Sequence, residues 1–377
     1  MVEINRKVGQ ITMPRVLIDA RESGTSTGRY IDKLIENLAK LKTDLGFSII
    51  TKPHREAYIR SIAPNFGIEL SNFKEFTFGE QLGFKKQIEA IDADLVHFGM
   101  VQQPIQFKGR VVTTIHDLTG IRFKNPSKNL VVYSTKQQVY KHVIKKAAHK
   151  SLFVISGSEY VRQDLIKYTG EDAKKFYVTY EAADYIKEPP EELPKLKNRP
   201  FIMYVGRPTP HKNLWRLVEA FSLLKSKHPD LMLVLAGKLD FNYGQIRARV
   251  ESAGITRVIF TDFVNESQLK WLYQNCSAYV FPSLSEGFGL PALEAMSHGA
   301  PVVSSNATCL PEIYGEAAIY FDPKNIEDMA SAINQMLVDD ELREAIKKRG
   351  LDQVKKYSWA KMAKETLTIY EKALNLR

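Results

Sequence analysis

The chain has 377 residues, enough for two or three domains. A composition of 44% hydrophobic and 25% charged residues excludes a disordered, collagenous or fibrous chain. The net charge of +10 lies wholly in the first half: residues 1–180 hold 28 Lys and Arg against 18 Asp and Glu, and residues 181–377 hold 25 of each.

The opening MVEINRKVGQ lacks the apolar core of a signal peptide. No apolar run approaches the ~20 residues of a membrane-spanning helix. A cytoplasmic location is therefore expected, with Cys276 and Cys309 as reduced, buried thiols. RVLID (15–19) predicts the first strand. The turn DARESGTSTGRY (19–30) follows, with Gly24 and Gly28, then a helix from about Arg29 to Lys42. This spacing is not GxGxxG, so a dinucleotide reading fails. An acceptor or phosphate could approach the two glycines, or they could serve the turn alone. FSIIT, LVHF, VVTTI, LFVIS and FYVTY predict further buried strands, with helices over 128–148 and 158–168. This βαβα order implies a parallel sheet covered on both faces. DAD (92–94) precedes the buried LVHF and reads as a turn, with His97 packed near that strand's end.

His116 in TIHDL (114–118) falls at the carboxyl end of a strand. There it could hydrogen-bond a substrate hydroxyl or a developing charge, and Asp117 could orient it or cap the next turn. The segment 122–150 carries Arg122, Lys124, Lys128, Lys136, Lys141, Lys145, Lys146 and Lys150. Val131, Val132, Tyr133, Val139, Tyr140, Val143 and Ile144 are interleaved with them. Such a basic amphipathic stretch can lie on an anionic membrane surface. The competing expectation is that its apolar residues pack on the sheet.

Four prolines within 185–200 mark a linker. The alternation then restarts with FIMYV (201–205), a helix over 213–227 and LMLVLA (231–236), followed by VIFTDF, AYVFP, PVVSS and AIYFD. Two helical segments, 325–356 and 359–373, close the chain. Two doubly wound α/β domains facing a cleft are predicted, with ligands outside the carboxyl ends of the strands.

Two loops of the second half carry the strongest chemical signals. In SEGFGLPALEAM (285–296), Glu286 and Glu294 flank Gly287, Phe288, Gly289 and Leu290. Pro291 suits the start of a helix, and the amides of Phe288–Leu290 would lie at its N-terminus, a site for a polar or anionic ligand. Glu286 would project from the loop and Glu294 would sit in the first helical turn. Together they could bind two hydroxyl-bearing parts of one ligand, or serve as a surface acid and an N-capping acid. In YVGRPTPHKN (204–213), Arg207 and Lys212 could converge on a pyrophosphate without a metal.

These motifs, with VISGSEYVRQDLIKYTG (154–170) and the stretch 258–323, resemble glycosyltransferase family 4, retaining enzymes of the GT-B fold. The resemblance covers nearly the whole chain. It implies a first domain over 1–190, joined by a returning helix over 359–377, and a nucleotide-sugar-binding domain over 191–358. It implies that Glu294 binds the nucleotide ribose, that Glu286 and the Phe288–Leu290 backbone hold the donor sugar, and that Arg207 and Lys212 hold the diphosphate. His116 would face the transferred sugar, with Gly24, Gly28 and Asp117 on the acceptor side. No metal and no cofactor beyond the donor are implied. One departure is YEAAD (180–184), where family members often carry an Asn-Gly-Val-Asp-like segment; Asp184 is kept.

The expected reaction is retaining, front-face transfer of a hexose to a glycan or lipid-linked glycan. GDP-mannose is the favoured donor and UDP-sugars stay open. Competing readings are a nucleotide-sugar epimerase or phosphorylase of the same fold and a non-catalytic glycan or nucleotide binder. No RNA-binding motif is present, so nucleic acid is not an expected partner.

Overall fold

A computed structural model describes residues 13–123 and 130–375, with backbone alone at 130–133, 135 and 136. The first sheet consists of β1 (Arg15–Asp19), β2 (Gly46–Thr51), β3 (Gly67–Leu70), β4 (Leu95–Phe98), β5 (Val111–Thr114), β6 (Phe153–Ser156) and β7 (Phe176–Val178). All pairs are parallel, in the order β3-β2-β1-β4-β5-β6-β7. The second sheet holds β8 (Phe201–Val205), β9 (Met232–Ala236), β10 (Val258–Phe260), β11 (Ala278–Phe281), β12 (Val302–Ser305) and β13 (Ala318–Phe321). It is also parallel, in the order β10-β9-β8-β11-β12-β13. Each order reverses beside its first strand, so each sheet has a switch point where loops splay apart and leave room for a ligand.

The central strands β4, β5, β9, β11 and β12 are buried along their whole length, and their sequences are rich in Val, Leu and aromatic residues, with only small polar residues or His97 among them. The edge strand β3 escapes that reading: GIEL is short and almost wholly exposed. The first helix ends at Leu38, short of the predicted Lys42. The predicted helix over 325–356 is two helices, Ile326–Val338 and Asp340–Val354. Asp339 divides them because its carboxylate accepts from Leu342 N at 2.9 Å and so starts a new helix.

The helix Trp359–Ala373 returns to the first sheet. It buries Met362, Ala363, Leu367, Ile369 and Tyr370 in the core built by β1, β2 and the helix Arg29–Leu38. Tyr370 Oη lies 2.6 Å from His97 Nδ1, at the fully buried end of β4. Asp184 accepts from Trp359 Nε1 at 3.2 Å and pairs with Lys33 at 2.8 Å, tying the crossover to the first helix. These side chains close one contiguous apolar core between the returning helix and the first sheet. Both cysteines are buried and unbridged. Among the described residues no helix is long and apolar enough to cross a membrane.

Candidate active site

Strand β11 leads into the loop 282–289 and the helix Leu290–Ser297. Gly289 starts that helix from a φ of 94°, and Pro291 lies in its first turn, where its missing N–H costs nothing. Strand β8 leads into the loop 206–213. The two loops are zipped together: Leu284 N donates to His211 O at 2.7 Å, and Asn213 Nδ2 donates to Pro282 O at 3.0 Å. Lys212 Nζ donates to Glu286 Oε1 at 2.6 Å, with the two side chains only 17% and 12% exposed. Burial and the neighbouring Lys212 push the His211 pKa down to about 4, so its ring stays neutral beside the lysine. Arg207 is exposed, and its side chain has no partner among the described residues.

Glu294 opens the second helical turn, one residue beyond the first turn expected from sequence. It forms an ion pair with Arg29, at the start of the first domain's first helix. Burial raises the Glu294 pKa against the opposing pull of Arg29.

From the first sheet, His116 stands two residues beyond β5. Its Nδ1 lies 3.3 Å from Glu181 Oε1, its Nε2 lies 3.2 Å from Gly99 O, and Tyr30 packs edge-on at 5.0 Å between centroids. Burial pulls the imidazole pKa down, but the hydrogen bond and charge of Glu181, with the Asp117 charge and the Gly99 carbonyl, together outweigh it, and the net shift is upward. Both ring nitrogens face acceptors, an arrangement that suits the imidazolium, which donates from both. Asp117 does not orient the ring. Its carboxylate accepts from Thr119 N at 2.8 Å, the cap of the following turn, and burial raises its pKa.

Beside Gly99 lies a small hollow lined by Asp19, Glu22, Thr27, Gly28 and Glu75. Arg21 also lines it, paired at 2.8 Å with both Asp19 and Glu80 and stacked 3.6 Å over the Phe84 ring. Its Nη1 is buried without a hydrogen-bond partner. A Cβ at Gly28 would lie 1.8 Å from the Glu22 carbonyl oxygen, so this turn closes only around glycine. Gly24 packs against Arg55 instead of lining the hollow.

The two halves meet at these loops. A Cβ at Gly287 would sit 2.2 Å from the His116 carbonyl oxygen. Ser158 Oγ donates to Gly287 O at 2.8 Å, and the hydroxyls of Ser285 and Thr119 lie 2.8 Å apart. Glu312 accepts from the amides of Glu159 and Tyr160 at 2.7 and 2.8 Å, capping the helix Glu159–Thr169 from across the cleft. Gly287→Ala is therefore expected to hold the loops apart, lowering Tm and lowering kcat/KM about ten-fold. Steady-state kinetics check this; wild-type values would show that the loops need not meet.

Residues 186–353 match the model of the family "Glycosyl transferases group 1". The chain is 34% identical over 278 residues to the O-antigen chain mannosyltransferase B of Escherichia coli, covering 70% of this chain and 70% of that protein. The chain belongs to the group 1 glycosyl transferases. It is also 34% identical over 226 residues to the serotype-specific mannosyltransferase WbdA of Escherichia coli, of which it spans 28%. The sucrose-phosphate synthase of Thermosynechococcus elongatus superimposes with a TM-score of 0.78 at 18% identity, over 97% of this chain and 100% of that one. Anabaena HepE, solved in complex with UDP-glucose, gives 0.71 at 18% identity, over 94% and 99%. These likenesses establish the GT-B fold of two facing parallel-sheet domains.

In this glycosyltransferase Lys212, Glu286, Gly287, His116 and Asp117 are brought to one seam between the sheets, while Arg207 stands apart in solvent. Glu181, Arg29 and Tyr30 were missed as individual site residues. Arg29 and Tyr30 stand inside a recognised motif, directly after Gly28, and that position was their signal. Glu181 had none, because its partner His116 is remote in sequence.

Proposed function

We propose that this glycosyltransferase moves a hexose, with mannose favoured, from a nucleotide-diphosphate sugar to a glycan or lipid-linked glycan, with retention at the anomeric carbon and without a metal. The observation that carries the reading is the mostly buried Lys212–Glu286 pair, set beside a helix N-terminus and pressed against the His116 loop. In this reading residues 191–358 hold the donor, and residues 1–190 with the returning helix hold the acceptor.

Lys212 meets the diphosphate as a point charge, and Arg207 swings in from solvent as a bidentate fork. Glu286 and the amides of Phe288–Leu290 hold the donor sugar. Glu294 takes the ribose hydroxyls once it is released from Arg29. The acceptor hydroxyl approaches past Gly28, with its neighbouring hydroxyls on Asp19, Glu22 and Glu75. The bond from the anomeric carbon to the diphosphate oxygen breaks as the acceptor oxygen bonds on the same face. The acceptor's proton passes to the departing phosphate oxygen, and His116 as imidazolium stabilises charge on the transferring sugar's hydroxyls.

Relatives named as mannosyltransferases support mannose as the transferred sugar, and in this reading GDP-mannose is the donor ahead of UDP-sugars. Thermal stabilisation by a panel of nucleotides and nucleotide sugars, with EDTA present, tests the reading. GDP and GDP-mannose are expected to raise Tm most. A preference for UDP would replace the donor, and no shift with any nucleotide would overturn the proposal.

A further inference from the structure

The basic stretch 122–150 was expected to offer lipid an apolar face as well as lysines. Its structure removes most of that face. Val143, Ile144, Ala147 and Ala148 are core residues packed under β5 and β6. Lys150 is also withdrawn: its ammonium donates to Pro104 O at 2.6 Å, and burial lowers its pKa to about 7. Lys124 and Lys128 lie outside the described residues, as do the side chains of Val131, Val132, Tyr133 and Lys136. The described side chains exposed on the helix Leu130–Lys150 are Ser134, Gln138, His142, Lys145, Lys146 and His149, with Val139 at 54%.

An apolar surface stands beside this helix on a different segment. Phe78 is 89% exposed, Leu82 64% and Phe76 51%. Phe78 and Leu82 are four residues apart in a helical run that includes the π-helical turn Glu80–Phe84, so they share a face. Phe76 packs edge-on against Tyr140 of the basic helix at 5.7 Å, which joins the two segments into one surface. Neighbours on the same run, Phe84 and Ile88, are fully buried, so the segment has a core face and a separate apolar outer face.

We infer that the Phe76–Leu82 segment inserts into the interfacial region of an anionic lipid bilayer while the helix Leu130–Lys150 lies on its headgroups. Charge selects this occupant. Between Asp117 and Glu159 the sequence has no carboxylate; of its eight Lys and Arg, Lys145 and Lys146 stand exposed in the structure, while Arg122 is paired with Asp164 and Lys150 is withdrawn. A second copy of the chain would bring the same positive field against itself, whereas an anionic leaflet neutralises it. Exposed phenylalanine and leucine beside lysines is the composition that binds at a membrane interface. The same segment borders the acceptor hollow: Glu75 lines it, and Glu80 holds Arg21 there. A bilayer bound at Phe76–Leu82 therefore delivers a lipid-linked acceptor to the hollow beside His116. That delivery rests on the transfer reading above; the bilayer contact does not.

The test uses the full chain with vesicles of phosphatidylcholine alone and with phosphatidylglycerol added, read by co-sedimentation at low and high salt. The chain is expected to bind the anionic vesicles and to be released by salt. Phe78→Ser combined with Leu82→Ser is expected to weaken that binding about ten-fold. Its nucleotide-dependent thermal shift and its transfer to a water-soluble acceptor should stay at wild-type values. A variant that binds as tightly as wild type overturns the insertion, and a wild type that ignores anionic vesicles overturns the surface. Concentration-dependent self-association abolished by the same substitutions, without vesicle binding, would assign the patch to a second copy instead. Loss of transfer by both proteins with vesicle binding intact would count against the transfer reading and not against this one.

Discussion

Lys212→Ala is expected to lower kcat for sugar transfer about a thousand-fold, at the upper end of the loss from removing one stabilising group at a developing charge. The lysine is held 2.6 Å from Glu286 at the foot of the donor helix, with little solvent on either side chain. Truncating it has two effects of the same sign. The cation that would meet the leaving diphosphate disappears. Glu286 is left as a mostly buried carboxylate without its partner, and its charge then opposes the incoming phosphates. Glu286→Gln keeps the shape and an acceptor for Lys212, so it separates the pair's charge from the loop's geometry. The double substitution Lys212→Ala with Glu286→Ala should lose far less than the product of the two single losses, because each removes the other's function. Initial rates for the two singles and the double decide this. Lys212→Ala activity within about ten-fold of wild type would remove Lys212 from the transition state.

Much of this arrangement was legible in the sequence, and the parts that were not share a cause. Fully buried parallel strands announce themselves as apolar runs, so every strand of both sheets was placed except β3, whose residues face water. Loops that follow such strands could be located with equal security, which is how Glu286, Lys212 and His116 were found. Sequence could not say what each side chain does once the two sheets face each other. Glu294 was read as free to bind a ligand, yet it is paired with Arg29 from the other domain. For Asp117 the sequence leaves two roles open, orienting His116 or capping the next turn, and the structure takes the second. For residues 143 and 144 of the basic stretch the sequence leaves lipid or core open, and they fill the core. Each of these depends on a partner distant along the chain, and no local period encodes it. The YEAAD departure is instructive: Glu181, which stands where the family pattern has Asn, faces His116, while Ala182, at the Gly position, is buried in the core.

Glu181→Gln is accordingly expected to lower kcat about a hundred-fold and to move the titration of His116 to lower pH. The ring is partly buried, which pulls its pKa down; the adjacent Glu181 carboxylate is the largest influence lifting it, ahead of the Asp117 charge and the Gly99 carbonyl. Glutamine fills the same space and still offers an oxygen to Nδ1, but it carries no charge, so the upward pull weakens. The loss is placed at the lower end of the 10²–10⁴ expected for removing an acid–base group, because the imidazole itself remains. The sign of the stability effect follows from linkage. His116 binds its proton more tightly folded than unfolded, so the stability contributed by Glu181 is full below the unfolded histidine pKa of about 6.5 and fades as pH rises through the folded value. The Tm difference between wild type and Glu181→Gln should thus be largest in mildly acidic buffer and smallest in alkaline buffer. A merely structural Glu181 would give a difference independent of pH. The NMR titration of His116 in both proteins is the deciding measurement: the same midpoint in each would break the partnership, and a lower midpoint in the variant would make Glu181 the residue that keeps the imidazolium available for transfer.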